Sequence, residues 1–193
     1  MRSQRLSDNS QLATSAYCVC GGSGVFVIPA FYRQYRFRDR FLINLAAVGQ
    51  LDLLRQLYGH VIIPQAIYDE IVLAGVGQPG SAEVKDAVWI ETRRLKDQAL
   101  ADILNLELDR GEAEALALAL ELKAELLLID ERKGRAIATR LGLVHIGLLG
   151  ALVEAKQRGL ILAVQPLVDD LIAKAGFWIS ADLYRRVLQA AAE

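Results

Sequence analysis

From Leu42 onward the apolar positions switch repeatedly between two periods. Leu42, Leu45, Ala46, Val48, Leu51, Leu53, Leu54 and Leu57 recur near helical spacing and predict one helix, ended by Gly59. Val61–Ile63 reads as a short buried strand. Pro64 suits the first turn of a following helix that carries Ile67, Ile71 and Val72 and stops near Gly75. Gly77-Gln78-Pro79-Gly80 is loop chemistry, followed by a brief helix and a strand at Val88–Thr92. Asp97–Leu108 fits neither period clearly. Asp109-Arg110-Gly111-Glu112 then opens a strong helix through Leu122, before a strand at Glu125–Asp130, a helix at Glu131–Leu141 and a strand at Leu143–Ile146. Helices at Leu148–Arg158, Gln165–Ala175 and Ala181–Ala192 close the pattern. Strands alternating with helices predict an α/β fold, a short central parallel sheet between two helix layers, with right-handed crossovers. The unbroken apolar run Leu126-Leu127-Leu128-Ile129 fits a strand covered on both faces.

Composition narrows this picture. The 193 residues suffice for one such domain and an extension, and 53% hydrophobic content with mean hydropathy +0.27 argues against disorder for most of the chain. No apolar run approaches the roughly 18–20 residues that span a bilayer. Val25–Ile28, behind Arg2 and Arg5, is too short for a signal peptide. A cytoplasmic protein without membrane partners is expected. The net charge of −1 and pI near 6.2 exclude nucleic-acid binding through bulk basicity. The local basic groups Arg93-Arg94 with Lys96, Arg132-Lys133 with Arg135, and Arg185-Arg186 read first as solvated faces. No repeat of solenoid period, no Gly-rich phosphate loop and no GxSxG elbow is present.

Cys18 and Cys20, one residue apart, supply only half of a zinc site and pair poorly with each other. His60 and His145 are the only histidines. A metal here would therefore sit among oxygens, which selects Mg²⁺ or Mn²⁺.

Ligands of an open parallel sheet bind beyond the carboxyl ends of its strands. Asp130 directly follows the Leu126–Ile129 strand, Glu112 starts the helix that feeds that strand, and Glu70 lies three residues past Ile67 on the helix after Val61–Ile63. Carboxylates converging at one edge repel unless a divalent cation neutralises them. Each acid also has an ordinary explanation. Asp109-x-x-Glu112 is close to a capping box, Asp130 suits the N-cap of the next helix, and Glu70 suits a surface position beside Asp69. Spacing alone leaves both readings open.

Several segments in order resemble the PIN-domain family, in its prokaryotic toxin-like (VapC-like) nucleic-acid-binding branch. They are Leu42–Leu54, Ile62–Ile71, Gly111-Glu112-Ala113-Glu114-Ala115, Leu128-Ile129-Asp130-Glu131-Arg132-Lys133-Gly134-Arg135, Gly147–Lys156 and Gly176–Ser180. The resemblance implies a Mg²⁺- or Mn²⁺-dependent ribonuclease, the toxin of a toxin–antitoxin pair, with RNA as substrate, an antitoxin protein as partner and a homodimer as its assembly. It implies four metal-binding acids. Glu70, Glu112 and Asp130 match the second, third and last of them, with Glu114 a weaker substitute for Glu112. Catalysis would run through a cation that polarises the phosphodiester and lowers the pKa of the attacking water, leaving a 5′-phosphate and a 3′-hydroxyl. Arg132 or Arg135 would hold phosphate.

The first acid departs from the pattern. The family places it at the end of an apolar strand just before Leu42, where this chain reads Phe37-Arg38-Asp39-Arg40-Phe41. Aligned without a gap, the family Asp falls on Arg38 and Asp39 is displaced by one residue, which turns a strand side chain to the opposite face. Asp39 is thus a candidate ligand only by substitution. Four arginines between Arg33 and Arg40 also suit a buried strand poorly. Codons for Tyr32-Arg33-Gln34-Tyr35-Arg36-Phe37, read one base later, can encode Ile-Val-Ser-Ile-Val-Ser, an apolar strand of the missing kind. We therefore expect residues 37–193 to form the PIN-like domain and 1–36 to be an extension, disordered or translated out of frame. Loss of the first acid would instead leave a catalytically impaired module that binds RNA or protein. A receiver-like domain built on Asp130 lacks its acidic pair and lysine.

Overall fold

The computed structural model describes residues 41–193, so Asp39 and the extension lie outside the described residues. Helices α1 (Phe41–Ala47) and α2 (Asp52–Tyr58) lead into strand β1 (Val61–Pro64). The single helix expected here is broken by a turn at Gly49, whose φ of 68° favours glycine. Helix α3 (Gln65–Tyr68) runs on as a π-helical turn, Asp69–Ala74, and α4 (Ser81–Asp86) precedes β2 (Ile90–Arg93). The stretch that fitted neither period holds α5 (Ala99–Leu104). Then come α6 (Arg110–Leu122), β3 (Leu127–Leu128), α7 (Arg132–Arg140), β4 (His145–Ile146), α8 (Leu148–Gln157), α9 (Gln165–Ala175) and α10 (Ala181–Ala190).

All strand pairing among the described residues is parallel. β1 pairs with β2 in the register Val61 to Ile90, and β3 with β4 in the register Leu127 to His145. The described strands form these two pairs rather than one continuous ladder. Alternate residues of β1 and β3 enter two different cores. Val61, Ile63 and Leu128 pack with α1, α2, α8 and α9, while Ile62, Leu127 and Ile129 pack with α6 and α7. A strand that buries both side-chain rows needs helices on both sides, and that is the three-layer arrangement.

Helix α6 is the innermost helix, buried continuously from Gly111 to Ala119. Its glycine and alanines let strands and neighbouring helices approach closely, and the Asp109 side chain answers part of the N-terminal backbone that the helix itself cannot pair. Two carboxylates, Glu112 and Glu114, go inside with it.

Leu128 is fully buried where the strand layer meets the first core. Leu128→Ala is expected to lower the unfolding free energy by about 2–5 kcal/mol in urea titrations, with unchanged far-ultraviolet circular dichroism.

Candidate metal centre

Parallel pairing positions the end of β3. Leu127 N–H donates to Val144 O at 2.6 Å and Ile129 N–H to Ile146 O at 2.7 Å, which carries Asp130 to the start of α8. There Asp130 Oδ1 accepts from Leu148 N–H at 3.3 Å, with Arg135 Nη1 at 3.9 Å. Asp130 is therefore not the N-cap of α7, whose N-cap is Glu131 with no side-chain cap bond; its carboxylate faces the first turn of α8 instead. Burial pushes its carboxyl up to about 6, with Arg135 and the Leu148 N–H opposing. Gly147 is needed beside it because a Cβ there would collide with Asp130 Oδ1.

At the start of α6 half of the expected capping box forms: Asp109 caps the helix, with no return bond from the Glu112 side chain. Asp109 Oδ1 accepts from Glu112 N–H at 3.0 Å. The cap uses only half of the carboxylate. Asp109 Oδ2 is buried without a hydrogen-bond partner, and so is Oε2 of Glu112, a residue only 2% exposed. Glu114 behaves differently: its Oε1 accepts from Arg110 Nε at 2.8 Å, so its charge is answered.

Three acids of the described residues meet. Asp109, Glu112 and Glu131 each offer a carboxylate oxygen, and these oxygens lie within 4.8 Å of one another. Glu131 arrives because α7 packs its first turn on that of α6; a Cβ at Gly134 would stand 3.5 Å from Glu112 Oε1 and 2.7 Å from Ile129 Cδ1. Burial, then the Glu131 and Asp109 carboxyls, drive the Glu112 carboxyl far above the usual carboxylate range. Burial likewise pushes Asp109 up to about 6, against the Glu112 N–H that favours its charged form. These neighbours are acceptors like Glu112 itself, so only a proton or a cation satisfies the facing oxygens. An all-oxygen donor set of this kind fits Mg²⁺ or Mn²⁺.

Of the acids singled out from sequence, Glu112 is in this group, while Glu70 and Asp130 are outside it. Asp130 is the chain neighbour of Glu131. Glu70 is half-buried in the π-helical turn that continues α3, a helix packed against α6. Glu131 carries little sequence signal, marked only by its place directly after Asp130 at a strand end. Of the phosphate candidates, Arg132 is exposed on the first turn of α7, and Arg135 stands at the rim beside Asp130.

No helix of the described residues is long and apolar enough to cross a membrane. No curated protein and no solved structure matches the chain. A family model described as a PIN domain, however, matches residues 40–193. With the three-layer fold and the acids gathered at the first turns of α6 and α7, this match makes the chain a member of the PIN-domain family, whose fold supports nuclease chemistry.

Proposed function

We propose that the protein is a Mg²⁺- or Mn²⁺-dependent ribonuclease, the toxin component of a toxin–antitoxin pair acting in the cytoplasm. The observation that carries this reading is Glu112: a carboxylate 2% exposed, one oxygen of it unpartnered, gathered with those of Asp109 and Glu131 in a PIN-domain chain. Glu112 is the central cation ligand. By the family pattern Glu70, Asp130 and Asp39 serve the same centre, Asp130 from a position fixed by the α8 N-terminus. Bound Mg²⁺ or Mn²⁺ supplies Lewis acidity at the phosphoryl oxygen and a lower pKa for the attacking water. Arg132 and Arg135, on one turn of α7, orient the RNA phosphate at the rim. An antitoxin protein restrains the enzyme, and the toxin is a homodimer.

Purified protein is expected to cleave RNA with Mn²⁺ or Mg²⁺, to stop on addition of EDTA, and to lose at least about a hundredfold of its rate in Glu112→Gln. RNA that is bound but never cut would instead identify the catalytically impaired module.

The raised carboxyls set a pH signature of the cation-free protein. Their folded pKa values lie above the unfolded ones, so their contribution to stability is full below about pH 4. It is lost as pH rises through about 6 for Asp109 and Asp130, and higher for Glu112. Between pH 5 and 7.5, Tm in EDTA should fall, and the Tm gain from added Mn²⁺ should grow. A Mn²⁺ gain that shrinks with pH would contradict this reading.

A further inference from the structure

We infer that Asp109 and Glu131 are themselves cation ligands, completing with Glu112 a three-carboxylate centre between the first turns of α6 and α7. The inference rests on the metal-dependent reading above and adds two residues that the family pattern does not supply.

Three observations converge on it. The three side chains bring one oxygen each within 4.8 Å of one another, a span that one ion bridges with bonds of roughly 2.0–2.6 Å. Glu112 is 2% exposed, its Oε2 is buried without a hydrogen-bond partner, and its carboxylate belongs to this group. Three basic side chains on these turns are engaged elsewhere: Arg110 with Glu114 at 2.8 Å, Lys133 with Glu107 O at 2.6 Å, and Arg135 towards Asp130. Among the described residues, none of the ion pairs neutralises Asp109, Glu112 or Glu131.

Asp109 serves twice. Oδ1 holds the α6 N-terminus through Glu112 N–H, and the buried Oδ2 is left for the ion. One residue thereby ties the helix start to the cation. The cap also fixes the backbone of Glu112, so that its side chain leaves the helix in a constant direction. Glu131 is the N-cap position of α7 yet makes no side-chain cap bond, which leaves its carboxylate for the same purpose.

The test measures Mn²⁺ binding directly, by electron paramagnetic resonance of free Mn²⁺ and by calorimetry, on the full chain without RNA. Asp109→Ser keeps a good helix cap but removes the ligand, and Glu131→Gln removes charge at nearly constant shape. Each is expected to weaken Mn²⁺ binding at least tenfold. Each should also raise Tm in EDTA, because a repelling carboxylate is gone, and shrink the Tm gain from Mn²⁺. A site held by other acids would leave both variants binding Mn²⁺ like the parent chain, and that result overturns the inference. So does a parent chain that binds no Mn²⁺ at millimolar concentration. If Mn²⁺ binding depends on Asp109 and Glu131 but RNA is untouched, this ligand set stands and the ribonuclease reading falls.

Discussion

The double burial of the short strands is the constraint on which the molecule depends. Val61, Ile63 and Leu128 face one core and Ile62, Leu127 and Ile129 the other, so neither helix layer can leave without exposing a row of aliphatic side chains. Burying such a side chain fully is worth about 1.5–3 kcal/mol, so six of them together are comparable to the whole margin by which most domains are folded. The strands are too short to hold themselves together by backbone bonding alone. Their packing fixes where each chain segment ends, and the acids stand at those ends.

That arrangement explains why charged groups are tolerated inside. Glu114 is answered by Arg110 and Asp130 by the N–H of Leu148 with Arg135 nearby. The group around Glu112 has no such internal answer among the described residues. A fold that answers its other buried acids yet gathers these three holds carboxylates together that only a proton or a cation can satisfy.

Much of this was legible in the residues because the strongest signals are local. The bounds of α6 follow from Asp109 as cap and an apolar, alanine-rich run through Leu122, and α9 follows as directly from Gln165–Ala175. Glu112 and Asp130 stood out because each adjoins an apolar strand or helix start. Glu131 did not, since a carboxylate at a helix N-terminus is ordinary chemistry, and its meeting with Asp109 depends on how closely α7 packs on α6 past Gly134. The split between α1 and α2 was hidden for a related reason: the apolar spacing continues across Gly49 even though the backbone turns there. The capping reading of Asp109 and a place among the acids are alternatives in sequence, yet Asp109 both caps α6 through Oδ1 and belongs to the acidic group.

The π-helical turn at Asp69–Ala74 has a consequence for the residue it carries. An i to i+5 ladder accommodates one more residue per turn than its α counterpart, so counting at 3.6 per turn from Ile67 does not give the bearing of Glu70. The bearing of that carboxylate is set by the length of the segment. Losing a single residue there would let the ladder tighten to α geometry and swing Glu70 around the axis with no change in its identity. Insertions and deletions, more than substitutions, are the changes to which this corner of the molecule is sensitive.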